Sequence, residues 1–243
     1  MRMITFAKRC GKEILRDPLN LLFGLGFPLV LLLLLHAIQA SIPVSLFEIH
    51  TLTPGITVFG LSFMTLFSAT LVARDRESAL LQRLYTTPLT GLDFIIGYLL
   101  PLLPIALGQT AICYLLAFFL GLTLDLSVLY AIVFMLPVAL FYIALGLLCG
   151  SLLGVKQVGG LCGALLTNLS AWLSGVWFDL KLVGGAFERI ANALPFVHAV
   201  ELEKAVLNGK PENIVAHLLP VLLYGVGVAA VAVLCFLRQM KKQ

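Results

Sequence analysis

The sequence predicts an all-α polytopic membrane protein with six transmembrane helices, and three observations predict it. Hydrophobic residues make up 60% of the 243 positions against 12% charged, outside the balance of soluble globular domains. The apolar residues fall in blocks, and six stretches, 19–39, 54–73, 95–120, 128–153, 158–178 and 214–237, contain no Asp, Glu, Lys or Arg. Each approaches or exceeds the ~20 residues that a helix needs to cross a hydrocarbon core of ~30 Å with its backbone hydrogen bonds satisfied internally. The basic residues gather between these stretches, and the whole of 1–243 reads as one transmembrane domain.

Residues 1–18 place Ile4, Ala7, Ile14 and Leu15 among Lys8, Arg9, Lys12 and Arg16. This basic amphipathic pattern suits a helix lying in the membrane interface, or serves as a topology signal, with Asp17 and Pro18 marking the turn into the first span. The first apolar run is too long for a signal peptide and has a poor cleavage site around Ile38 and Ala40, so it reads as a retained helix. The third and fourth stretches exceed the minimum length, and tilt or a kink is expected near Pro101, Pro104 and Pro137.

Between the second and third spans, residues 74–85 pair Leu80 with Leu84 and Leu81 with Tyr85 at i, i+4, giving a short helix with one apolar and one charged face that ends before Pro88. Read from the residues alone, it is a helix lying on its own membrane. Gly146, Gly150, Gly154, Gly159 and Gly163 repeat at close to four-residue spacing, which allows close helix approach, first of all within one protomer. The long connection 179–213 carries Phe187, Ile190, Ala191 and Leu194 at helical spacing, then a second helical stretch through Val200 and Lys204 to Asn208. Such helices cap the bundle or dip back into it.

With the N-terminus cytoplasmic, 12 of the 16 Lys and Arg residues lie on the cytoplasmic side, and the positive-inside rule places both termini there. The net charge of +4 is explained by that asymmetry and calls for no nucleic-acid partner. The spans hold no carboxylate or ammonium group, which removes weight from proton- or sodium-coupled carriers. The chain lacks a phosphate-binding loop, His-Glu-x-x-His and Gly-x-Ser-x-Gly, so neither ATP binding nor an enzyme reaction is expected of it, and no metal or catalytic residue is assigned. His36 and His217 read as packed polar residues, and the five cysteines as reduced, packed thiols.

Glu77, Leu81, Arg83, Leu84, Thr87, Pro88 and Leu89 resemble the loop after the second span in type-2 ATP-binding-cassette (ABC) transport permeases. The basic N-terminal helix with Arg16, Asp17 and Pro18, Pro28 in the first span, and Leu194, Pro195 and His198 before the last resemble that family in the same order. The resemblance implies that 74–89 is a coupling helix docking into a separate ATPase subunit through Glu77, Leu80, Leu81, Arg83, Leu84 and Pro88. It implies two ATPase copies carrying the ATP and Mg, a second permease, identical or homologous, and an outer helical hairpin over 179–208 that is re-entrant. The expected function is ATP-driven export, with Phe63, Phe67, Asn168 and Trp172 as pathway candidates for an amphiphilic or drug-like substrate, in a bacterial or archaeal inner membrane. Two departures stand out: Ala79 and Leu80 replace the family's usual Gly-Thr, and the proline often found after the fifth span is missing at Phe178 and Asp179. The alternative class is a membrane scaffold or regulatory subunit that moves no cargo.

Overall fold

Long apolar runs without interior breakers other than proline become long helices, because in lipid only internal hydrogen bonding satisfies the backbone. The computed structural model describes residues 2–43, 47–78 and 90–242, and these form helices with no strand among them. In chain order they are α1 (Arg2–Leu15), α2 (Pro18–Gln39), α3 (Ile49–Leu61), α4 (Phe63–Glu77), α5 (Gly91–Phe119), α6 (Leu126–Leu152), α7 (155–173), α8 (Leu180–Val183), α9 (Gly185–Ala193), α10 (Pro195–Leu207) and α11 (Pro211–Lys242). Among the described residues, five helical stretches are long and apolar enough to cross a membrane: Pro18–Gln39, Ile49–Glu77, Asp93–Phe119, Leu126–Leu152 and Pro211–Arg238. Coupling-segment residues Leu80, Leu81, Arg83, Leu84 and Pro88 lie outside the described residues.

The fifth apolar stretch, expected over 158–178, forms α7 and stops at Leu173. At ~1.5 Å per residue, α7 is about 28 Å long. Ser174 turns its hydroxyl back to the Ala171 carbonyl and Gly175 has φ 72°, a left-handed conformation that ends a helix. The middle of α7 is a π-helix over Gly159–Leu166, where three glycines loosen the winding. A second π turn, Leu22–Gly26 in α2, precedes Pro28. Proline has no N–H to return to the Gly24 carbonyl, so the turn widens.

The second span is broken at Ser62, between α3 and α4, without a proline. The Ser62 N–H bonds to the Phe59 carbonyl at 3.0 Å, and the Ser62 hydroxyl donates to the same oxygen at 2.6 Å. This tightens one turn and separates two helical rods. Both rods are buried along most of their length, so the second span is the axis of the bundle. The helix α5, by contrast, runs through Pro101 and Pro104 without a break in its helical assignment.

Spans two and four close on each other through small and hydroxyl residues. A Cβ on Gly146 would lie 2.3 Å from the Thr65 carbonyl oxygen, and one on Gly150 would lie 2.5 Å from that of Ala69. Thr65 donates to the Tyr142 carbonyl at 2.9 Å and Ser68 to the Ile143 carbonyl at 3.1 Å. The glycine spacing noted in the sequence therefore serves packing inside one chain at these two positions, as expected where lipid removes the hydrophobic drive between helices. Spans one, two and three meet at Pro28, Gly60 and Gln109. Gln109 is buried and its amide has no hydrogen-bond partner among the described residues.

The amphipathic α1 packs part of its apolar face on the bundle, while Ile4 and Leu15 stay exposed. Phe6, Ala7, Cys10 and Ile14 are buried, and Phe6 meets Phe94 and Tyr98 of α5 edge-on at 5.4 and 5.0 Å. At the other end of the bundle, α8 and α9 turn at Gly184 and Gly185, both with positive φ. From there α10 packs among α3, α6 and α11, burying Phe196, Val197, Val200, Leu202 and Glu203.

Candidate functional site

The first candidate is the last turn of α4, immediately before the 79–89 segment. Four consecutive charged residues, Arg74 to Glu77, end this helix, and helical geometry sends them to four directions. Arg74 pairs with Asp17 at 3.0 Å, at the turn between α1 and α2. Asp75 is 1% exposed and is gripped by both guanidinium nitrogens of Arg9 from α1. The hydroxyl of Tyr98 on α5 donates to the same carboxylate at 2.8 Å. Arg76 donates to the Gly150 and Leu153 carbonyls at 2.8 and 3.2 Å, capping the end of α6. Glu77 accepts from the Val155 N–H at 2.8 Å, covering a free donor at the start of α7.

These bonds make one turn of α4 the meeting point of α1, α5, α6 and α7. Burial works against charge on Arg9, but its hydrogen bond and Coulombic attraction to Asp75 outweigh that, and its pKa is raised. Burial also raises Glu13, with Asp75 adding repulsion while Arg9, at 2.6 Å, opposes the rise. Burial pushes the Cys10 thiol up to about 12, so it is an inert packed thiol. Of the residues expected to couple to a partner, Glu77 is the described one, and one of its carboxylate oxygens is spent inside the chain.

The four pathway candidates separate into two pairs. Phe63 and Phe67 are buried, Phe63 in an aromatic cluster with Phe27 and Phe59 at 6.0 and 5.7 Å. Trp177 joins that cluster through Phe59 at 5.8 Å. Phe67 lies over the π turn of α2, where a Cβ on Gly24 would sit 2.2 Å from its ring. Asn168 is exposed with its amide donated to the Ala164 carbonyl, and Trp172 is 53% exposed. The cluster partners Phe27, Phe59 and Trp177 escaped the sequence reading because they come from α2, from α3 and from the segment after α7. An apolar cleft lined by Val72, Tyr98, Leu147, Ala232 and Phe236 has a cavity volume of about 50 Å³, well below the ~300 Å³ at which ligand pockets begin.

In the hairpin, Leu194 and Pro195 start α10, and His198 lies one turn along, facing His217 of α11. Glu203 is fully buried and accepts from the Tyr114 hydroxyl of α5 at 2.6 Å, while its second oxygen has no partner among the described residues. Burial holds this carboxyl up, at about 8, with the Tyr114 bond only partly offsetting it. The six apolar stretches hold no carboxylate, and α10 brings one into the bundle from outside them. A family model described as ABC-2 type transporter matches residues 2–206 of the chain. No curated protein matches it.

Proposed function

Since the chain belongs to the ABC-2 type transporter family and is a permease subunit of an ABC transporter, we propose that it exports an amphiphilic substrate using ATP hydrolysed by a separate ATPase subunit. In this reading two ATPase copies, each holding ATP and Mg, act on two permeases, this chain and an identical or homologous second one. Both termini face the cytoplasm of a bacterial or archaeal cell, and the 74–89 segment docks on the ATPase.

The observation that supports the reading is the fixing of Arg74 to Glu77 to four neighbouring helices. A displacement of this last turn of α4 pulls on α1, α5, α6 and α7 together. That is what a mechanical input requires. The cargo path is proposed on the exposed side of α7, at Asn168 and Trp172 and beside the Phe27, Phe59 and Phe63 cluster, where a second permease would complete it. The small size of the cleft near Tyr98 supports a path between chains rather than one there.

The test is co-purification of the detergent-solubilised chain with the candidate ATPase, comparing wild type with Leu81→Ala plus Leu84→Ala. Glu77 is left intact because it covers the Val155 N–H. The expected result is that wild type retains the ATPase and the variant loses it with its thermal stability unchanged. Retention by both would remove the docking role from this apolar face. Binding by neither would move the chain toward a scaffold that carries no cargo.

A further inference from the structure

His198 and His217 come from different helices, and their Nδ1 atoms are 3.0 Å apart. The Nε2 of His198 lies 3.0 Å from the Asn192 carbonyl oxygen at the end of α9. A carbonyl only accepts, so His198 carries its proton on Nε2 and its Nδ1 is a lone pair. The Nδ1 of His217 must then be the donor. The chain of bonds has one direction: His217 N–H to His198, and His198 N–H to Asn192. The ring centroids are 5.3 Å apart, so the two nitrogens lie close to the line joining the rings and face each other head-on. A shared metal ion would need the lone pairs to converge away from that line, and no group of three His, Cys, Asp or Glu suited to a metal occurs among the described residues.

We propose that His198 and His217 form a proton-operated clasp, which seats α10 on α11 while at most one of the two rings is charged and releases it when both are. The first proton and the second do not act alike. A proton taken up first by His217 goes to its free Nε2, and Nδ1–H still donates. A proton taken up first by His198 goes to Nδ1, and neutral His217 then accepts it by carrying its own proton on Nε2, so the bond holds; once both rings are charged, two N–H groups and two positive rings face each other.

The surroundings do not replace the clasp once it opens. On α10 itself, Glu201 acts electrostatically on His217 and is paired with Lys204 at 2.9 Å. From α9, Glu188 and Arg189 are the charged side chains, and Asn192 contributes its carbonyl. In the first turn of α11 the acidic group is Glu212, and the one ionisable side chain of α3 is His50. The sequences of α6 and of the 167–173 turn of α7 hold no Asp, Glu, Lys, Arg or His. The nearby link that remains is the Tyr224 hydroxyl donating to the Ala193 carbonyl at 2.7 Å, which holds the end of α9 rather than α10.

Amide hydrogen exchange of the purified full chain between pH 7.5 and 5.5, corrected for the intrinsic pH dependence of exchange, measures the seating directly. It needs neither ATPase nor cargo, so it stands apart from the export reading. In wild type, the opening equilibrium of 195–207 should rise by up to about tenfold per pH unit, the slope of one linked proton. The Gln amide both donates and accepts and takes up no charge, so His217→Gln and His198→Gln each lose the step. A flat wild-type profile, or an undiminished step in either variant, would falsify the clasp. Nitrogen chemical shifts of the two rings at neutral pH give a second reading in unmodified protein: protonated Nε2 on His198 and protonated Nδ1 on His217 are expected, and the reverse tautomers overturn the proposal.

Discussion

Asp75 and Glu203 are both buried carboxyl groups, yet they are held in opposite ways. Asp75 has a guanidinium and a phenol around it, and removing it strands Arg9 at a half-buried position. Asp75→Ala should destabilise the chain toward the lower end of the ~3–5 kcal/mol seen when buried pairs lose one partner, since Arg9 keeps some water. Thermal unfolding in detergent measures it, and a smaller loss in the Arg9→Ala plus Asp75→Ala double variant would show that the stranded charge is the cause. Glu203 has no cation paired with it among the described residues, and its folded pKa of about 8 stands above the ordinary 4.5. Its contribution to stability is therefore fully present below pH 4.5 and is lost as pH rises through 8. Glu203→Gln should flatten the decline in melting temperature between pH 5.5 and 8.5, and an unchanged decline would assign it to other groups. Neither carboxyl could be paired from the sequence. Arg9 and Asp75 are 66 positions apart, and Tyr114 and Glu203 are 89 apart, with no local pattern linking them.

At the scale of the helix, the hydropathy blocks were legible because the cost of unpaired backbone in lipid leaves few alternatives. The interruptions were less so. A tight turn at Ser62 in the middle of an apolar run is made by hydroxyl and backbone bonding that hydropathy does not register, and the end of α7 at Leu173 depends on Gly175 inside a stretch that is still apolar. The glycines of α6 and α7 look alike in sequence and differ in the fold. A Cβ at Gly146 meets Thr65 backbone, whereas one at Gly159 or Gly160 meets nothing within 4 Å. Gly146→Ala should cost about 1–3 kcal/mol as an overpacked contact, and Gly159→Ala should be near neutral or slightly stabilising in the monomeric chain. Expression yield and melting temperature of the two variants, measured side by side, decide whether close approach or glycine flexibility sets the difference.

For the molecule as a whole, the charged turn at Arg74 to Glu77 joins the N-terminal helix to three spans, and this leads to a prediction that separates binding from transmission. Arg74 and Asp17 form a partly exposed pair, worth under about 1 kcal/mol to stability. Arg74→Ala should therefore leave folding and ATPase capture intact while lowering export in reconstituted vesicles. Equal export by wild type and variant would show that the Arg74–Asp17 pair takes no part in transmission. The meeting of three spans at Pro28, Gly60 and Gln109 bears on descent rather than on motion. Any side chain at position 60 would come within 1.8 Å of the Gln109 amide nitrogen and 2.9 Å of the Pro28 ring, so the lineage of this chain can change these positions only in a certain order. The Gln109 amide must first be turned aside or shortened and the Pro28 ring give way, and only then can position 60 leave glycine, so sister sequences with a side chain at 60 should carry changes at 28 and 109.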